Sequence, residues 1–354
     1  MNNLIRIMVG ALCAVLVLTA CTKNDPADQD QRVPLVFHAL SEAADVKSGT
    51  SAFPYDNFGI WGIARKSGES DYVLWEAGAL TKVDKVTVGS TTAFKPVSDA
   101  FWVSGYTYHF IGLAPFTADG KAASTPIIGT DRPIEPTFST SSGDAMTFSY
   151  DLSGNYTASN YTFDLMAAVA EETVTGTASS HSSSQALTFW HLFSKININV
   201  AFKDGENTFT GTVDKVRLQM DKDVAYTISF NADKPLNNAD KQLNVATDAG
   251  KKNQAEVIFA KSESTNAVPA SLHIVPQESA NMRLFLDYTI GSGENSFSLK
   301  DIEVNLSATG NPATYGYNES YNWNITIGPK EDISFAVTVA VWENVNAGDE
   351  IVIP

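Results

Sequence analysis

The sequence predicts an all-β protein built as two tandem antiparallel β-sandwich domains. Apolar residues recur with a period of two, which puts one face of a strand on a core and the other in solvent. Ile333, Phe335, Val337, Val339 and Val341 alternate with Ser334, Ala336, Thr338 and Ala340. Ile196, Ile198 and Val200 alternate with Asn197 and Asn199, and Leu284, Leu286, Tyr288 and Ile290 form a further set. No long stretch has a 3.6-residue apolar period, and turn residues such as Asp233-Lys234-Pro235 and Ala249-Gly250 separate the runs. The run Val174 to Gln185 is dominated by small polar residues that bury little surface. It divides the chain into pieces of about 150 and 170 residues, each of ordinary sandwich size. The same run could instead be one long surface loop.

From the N-terminus, residues 1–20 read as a secretory signal: Arg6 is the only charge, and an apolar run from Ile7 to Leu18 is too short to span a membrane. The run ends in Leu18-Thr19-Ala20-Cys21, which resembles a bacterial lipobox and makes Cys21 the expected site of lipid attachment. An ordinary signal peptide that happens to contain a cysteine is the alternative. Cys13 lies inside the signal, so neither of the 2 cysteines is a fold constraint. Residues 21–32 form a flexible acidic tether with no large apolar side chain before Val33. Asp25, Asp28 and Asp30 resemble an export signal of surface lipoproteins. They also resemble a calcium loop, without the glycine and late glutamate that would complete one.

The first domain is expected over 33–178. Val33, Leu35 and Phe37 alternate in its first strand, and a polar loop follows from Ser41 to Ser51. After the run Phe58 to Ala64, Trp102 to Pro115 reads as a turn at Gly105 and then a strand. Tyr161 to Ala168 is the last apolar run before the divide. The second domain is expected over 179–354. In Leu187 to Ile196 the apolar phase changes between Phe193 and Ile196, as a bulge or kink would produce. Tyr321 to Ile327 and Ile333 to Trp342 close the domain. Glu343 to Asp349 reads as a hinge, and Ile351, Val352 and Ile353 form a short apolar terminal strand.

Several functions are excluded or unsupported. With 24 Lys plus Arg against 40 Asp plus Glu, the net charge is -16, so the chain lacks the basic face that nucleic acid requires. No phosphate-cradling loop, nucleophile elbow or spaced zinc pair occurs among the residues, so no catalytic, cofactor-binding or metal residue is assigned and the chain is not read as an enzyme. His191, between Phe189 and Phe193, is the most tempting histidine; no carboxylate or nucleophile is near it in sequence, and it reads as structural rather than catalytic. Asp221 and Asp223 flank a turn. The tryptophans Trp61, Trp75, Trp102, Trp190, Trp323 and Trp342 are either core residues or a sugar platform. A hydrolase with paired carboxylates is a third reading that no residue favours.

Five segments in order resemble the fimbrillin-like family of type V pilus subunits of Bacteroidales: Trp102 to Pro115, Asp164 to Ala167, Phe189 to Lys195, Tyr321 to Ile327 and Ile333 to Trp342. The lipobox fits the same family. The resemblance implies two transthyretin-like (Ig-like) sandwiches, secretion as an outer-membrane lipoprotein, and a place at the cell surface or in a fimbrium. It also implies assembly with other pilus subunits by strand exchange, in which a protease removes the first strand and an extended segment of another subunit replaces it. Val33, Leu35 and Phe37 would then be the displaced strand, and Ile351, Val352 and Ile353 the donor; the terminal strand could equally pair within its own domain. The family's cleavage follows an Arg in the loop after the first strand, whereas this loop offers only Lys47. Arg32 precedes the strand and Arg65 follows the next run. Either Lys47 is the processing site or the subunit stays uncut and acts as an anchor. A host protein or glycan ligand stays open, and a surface glycan-binding lipoprotein is the alternative function.

Overall fold

A computed structural model describes residues 33–42, 50–75, 78–88, 91–116, 122–125, 132–134, 137–140, 144–151, 164–176, 178, 184–221, 223–229, 243–247, 255–260, 271–306, 311–328 and 333–340. Cys21, Lys47, Trp342, Ile351, Val352 and Ile353 lie outside these residues. Among the described residues the regular elements are strands, apart from short 3-10 turns such as Ser279–Asn281 and Gly293–Asn295. None of their helices is long and apolar enough to cross a membrane. The all-β expectation holds.

In the first half, one sheet runs in the order Gln185–His191, Met166–Thr173, Thr107–Ala114, Asn57–Arg65, Thr81–Val88, Thr91–Pro96, Phe37–Glu42 and Thr50–Ala52. Phe37–Glu42 also pairs with Gln185–His191, in parallel, from Phe37↔Gln185 to Ser41↔Phe189. The sheet therefore closes on itself around an apolar interior. Phe37 and Ala39 point into that interior at 0% and 5% exposure, and Ser41 is buried on the same side. Phe37 meets Phe58 and Phe110 edge-on, with ring centroids 6.2 and 5.2 Å apart. Phe53 packs against Phe58, Phe94 and Phe189.

The expected first strand is interrupted. Val33–Pro34 pairs with Phe101–Trp102 in a separate two-stranded ladder, the Leu35 N–H donates to Ala100 O, and the main ladder starts at Phe37. Pro34 has no N–H to give to a continuing ladder. Leu35 is nevertheless buried, so the alternation predicted its environment correctly.

Asn57–Arg65 is buried on both faces. One face lines the closed interior through Phe58, Ile60 and Ala64. The other carries Trp61 and Ile63 into a second, larger core shared with Ile111, Leu113, Leu165 and Ala167. Gly59 permits this double burial: a Cβ there would stand 2.7 Å from the Phe116 ring.

The second half is a two-sheet sandwich. One sheet has Ser194–Asp204 beside Glu319–Ile327 and then Ile333–Ala340, with Ser271–Ile274 and Asn207–Thr208 also on Ser194–Asp204. The other runs Ala255–Ala260, Gly211–Met220, Arg283–Ile290, Phe297–Val304. The expected alternation is met, since Ile196 and Ile198, Trp323 and Ile325, and Phe335 and Val337 are all buried. The sheets are not purely antiparallel, however. Ser194–Asp204 and Glu319–Ile327 pair in parallel over nine residues, and Phe37–Glu42 with Gln185–His191 is a second parallel pair. Strands brought together by long crossovers take whichever direction the path imposes, and the apolar pattern does not encode it.

The phase change between Phe193 and Ile196 has a larger meaning than a bulge. His191 ends a strand of the first sheet, Leu192 and Phe193 bend, and Ser194 starts a strand of the second sheet. Composition places the divide within Val174 to Gln185, giving domains over 33–178 and 179–354; the change of sheet falls at 192–193, after Leu187 and Phe189 have filled the first interior. The two halves are also joined elsewhere. Ala145–Asp151 pairs with Asp223–Ser229 over seven residues, within a four-stranded sheet that spans both halves. The larger core continues from Trp61 and Leu113 through Leu192 and Phe193 to Trp323 and Phe335.

Phe37→Ala should lower stability by about 3–5 kcal/mol, because the vacated ring site is lined by rigid aromatic neighbours. Urea denaturation of the purified protein checks this; a loss below about 1 kcal/mol would mean that the strand is not packed as described.

Candidate functional site

Two places bring the singled-out residues together: the first strand and the junction between the sheets. At the first, Phe37–Glu42 forms a hairpin with Thr50–Ala52, from Leu40↔Ala52 to Glu42↔Thr50. Lys47 belongs to the connection 43–49, outside the described residues. Along the same edge the strand meets Thr91–Pro96 at the single pair Phe37↔Phe94, and its opposite edge pairs with Gln185–His191. It is thus held by backbone pairing mainly to Gln185–His191 and by burial of Leu35, Phe37 and Ala39. Full burial of a Leu or Phe side chain stabilises by about 1.5–3 kcal/mol each.

Arg65, considered above as a cleavage point, is fixed in place. It ends Asn57–Arg65, and its guanidinium donates to both oxygens of Asp144 at 2.5 and 2.6 Å, with Asp71 at 3.1 Å. His109 Nδ1 lies 2.5 Å from the same Asp144 carboxylate. This cluster ties the start of the cross-half strand Ala145–Asp151 to the first sheet.

At the junction, His191 Nδ1 lies 2.6 Å from Asp164 Oδ2, and His191 is fully buried. The carboxylate partner absent from its local sequence arrives from 27 residues earlier. The strand pairing places it, since Met166 lies opposite His191 and Ala167 opposite Trp190. The turn before Glu319–Ile327 completes the clamp. Asn318 Oδ1 accepts the His191 N–H at 3.2 Å, and the Asn318 N–H donates to Phe193 O at 3.0 Å. Asn318 takes φ 57°, a left-handed conformation that asparagine tolerates better than most side chains. Ser194 donates its hydroxyl to Gly316 O, and the Leu192 N–H donates to Leu165 O at 2.7 Å. Tyr55 donates its hydroxyl to Asp164 O at 2.6 Å; burial, and then the Asp164 charge, push its phenol well above the ordinary value. His191 has no exposed surface and Asp164 is 8% exposed. The segments Asp164 to Ala167 and Phe189 to Lys195, which carried the resemblance, are therefore two sides of one junction. Asn318 and Tyr55 were missed by sequence reasoning; only the turn composition around Gly316 and Asn318 hinted at the former.

Glu319–Ile327 carries a second polar network. Trp323 Nε1 donates to the Tyr315 hydroxyl at 2.9 Å, that hydroxyl donates to Asn311, and the Tyr321 hydroxyl donates to Glu319. Burial pushes the Tyr317 phenol up to about 12 and the Tyr108 phenol up to about 12, and raises Tyr315 and Tyr321 as well.

The tryptophan platform of the glycan-binding reading is not met among the described residues. Trp61, Trp102 and Trp323 are buried at 2%, 1% and 0%, and Trp75 and Trp190 are half-buried, so no described tryptophan offers an exposed platform. A cleft of about 720 Å³ is lined by Ser279, Met282, Arg283, Glu303, Asn305 and Asn311, among others, with no aromatic side chain. Asp221 is buried and bound to Asn281 at 2.7 Å. No group of three His, Cys, Asp or Glu among the described residues is arranged to hold a metal ion.

A closed first sheet leading through a buried Asp-His junction into a mixed sandwich agrees with what comparison finds. The family model described as fimbrillin-like matches residues 49–342, and the chain belongs to that family. Membership supports a pilus subunit or adhesin at the cell surface or in a fimbrium, associating with other subunits. A structure described as a candidate cell adhesion protein from Bacteroides ovatus superposes with a TM-score of 0.51 at 14% identity, covering 88% of this chain and 99% of that one. It shares the fold. A similarly described protein from Bacteroides uniformis gives 0.48 at 17% identity, covering 90% of this chain and 100% of that one. No curated protein matches the sequence.

His191→Ala leaves the buried Asp164 carboxylate without its partner and should cost about 3–5 kcal/mol. Replacing both, Asp164→Leu with His191→Phe, should cost less than that single change, because no unpaired charge stays behind. Urea midpoints of the two variants check the order, and the reverse order contradicts it. The buried tyrosines carry a pH signature. Their folded values lie above the unfolded value near 10, so their stabilising effect is complete below about pH 10 and is lost as the pH rises through 12. Denaturation midpoints should hold level up to about pH 10 and fall beyond it; a fall already at neutral pH would contradict this.

Proposed function

We propose that this chain is a structural subunit or tip adhesin of a type V pilus, exported as an outer-membrane lipoprotein through Cys21 and joined to other subunits by strand exchange. The observation that carries the reading is the position of Phe37–Glu42. It closes the first sheet, buries Phe37 and Ala39 in an aromatic interior, and is linked through the Lys47 connection to Thr50–Ala52, whose pairing runs to this strand. Loss of residues 33–42 would open a groove lined by Phe53, Phe58, Phe94, Phe110 and Phe189. An extended segment of another subunit with alternating apolar side chains could fill it, with main-chain pairing to Gln185–His191 giving affinity and the pockets giving selectivity. Ile351, Val352 and Ile353 are the donor in this reading. The 21–32 tether would hold an uncut subunit to the membrane, and two or more acyl chains at Cys21 would make that hold stable. Val33, Leu35 and Phe37 leave the subunit if Lys47 is cut.

Mass spectrometry of assembled pili should find a mature N-terminus directly after Lys47, and Lys47→Ala should abolish it and shorten the oligomer ladder. Intact, lipidated Cys21 as the sole N-terminus in assembled pili would overturn processing at this loop and leave the anchor role.

A further inference from the structure

Sheet edges separate the described strands into guarded and unguarded ones. Two edge strands of the second sandwich are eight residues long: Phe297–Val304 and Ile333–Ala340. Phe297–Val304 has the devices that block strand addition. It carries Lys300, Asp301 and Glu303, its register shifts against Arg283–Ile290, and Asp301 takes φ 52°. Ile333–Ala340 has none of them. It holds no charge and no proline, and it keeps unbroken register with Glu319–Ile327 through all eight pairs, from Ile327↔Ile333 to Ser320↔Ala340. The charged residues Lys330, Glu331, Asp332 and Glu343 stand beyond its ends.

Its two faces differ. Inward, Phe335 and Val337 lie on the core. Outward, Ser334, Ala336 and Thr338 are exposed beside a flat field of amides, in which Asn197 donates to Asn322 at 2.9 Å and Asn199 to Asn324 at 3.1 Å. These side chains, with Thr326, carry no formal charge. In a chain of net charge -16, most surfaces of one copy repel the same surface of another. An edge and outer face without carboxylates is where two copies meet at least electrostatic cost. The strand is also self-complementary. Antiparallel pairing about a two-fold axis would set apolar side chains beside apolar ones and small polar side chains beside small polar ones, with every added hydrogen bond made twice.

We propose that Ile333–Ala340 is a self-pairing edge that joins two copies of this chain antiparallel, extending the sheet across the pair. This contact is separate from strand exchange in the first sheet and does not rest on the pilus reading. An eight-residue edge is smaller than a standard stable interface, so the contact is weak in dilute solution and gains strength where many copies are held side by side.

The test uses the full chain displayed on cells, with Ser334→Cys, Ala336→Cys and Thr338→Cys made one at a time and oxidised under mild conditions. Directly opposed residues of an antiparallel pair stand about 4.5–5.5 Å apart at Cα, within disulfide reach. The expected result is a disulfide-linked band of twice the monomer mass that peaks at one of the three positions. Its yield should be several-fold above both the unsubstituted chain and Ser298→Cys on the guarded edge, and lower when Thr338→Lys is added to Ala336→Cys. No doubled band, an equal yield from Ser298→Cys, or a linked product with a different protein alone would each overturn self-pairing.

Discussion

The structure depends on one constraint: within two residues, Leu192 and Phe193, the chain leaves one sheet and enters another while its side chains stay in a continuous core. A bend there exposes backbone groups that the ladders would otherwise satisfy. The junction meets the need with partners from two distant segments. Leu165 O, Asn318 and Gly316 take the main-chain and hydroxyl groups of residues 191–194, while Asp164 takes the imidazole. The buried Asp164–His191 pair is costly to desolvate, so its value lies in fixing one geometry, with the hydrogen bonds around it offsetting the cost. Once the bend is fixed, Gln185–His191 is placed to close the first sheet against Phe37–Glu42, and Ser194–Asp204 to form the centre of the second.

That placement gives the first strand its special character. Phe37–Glu42 is the one stave of the closed sheet that a hairpin loop and a short N-terminal ladder connect to the rest. It contributes large apolar burial through Leu35 and Phe37, yet its backbone pairing to Thr91–Pro96 is a single residue pair. Replacement by a segment of similar pattern would restore burial and hydrogen bonds alike. In the proposed strand exchange, folding and assembly would draw on the same interactions.

Much of this was legible in the sequence. Period-two runs marked Tyr321 to Ile327, Leu284 to Ile290 and Ile333 to Ala340 because each buries one face. The phase change after Phe193 marks the junction itself, a kink at which the chain changes sheet. What stayed hidden depends on long-range pairing. Direction is not written in alternation, so the parallel pairs could not be foreseen. Asn57–Arg65 hid its double burial, because the second covering layer comes from Phe116 and the residues around it. The Asp164–His191 pair was invisible as a pair, since each residue looks unremarkable in its own segment and only strand register brings them together. The Ser-rich run does not coincide with the change of sheet, because polarity reports where chain is solvated, not where the sheets exchange it.

The central claim is that the shared core and junction make both halves one cooperative unit rather than beads on a linker. Differential scanning calorimetry of the mature protein tests it most directly. A single transition whose calorimetric and van't Hoff enthalpies agree is the predicted result. Two resolved transitions, each removable by substitutions confined to one half, would contradict it.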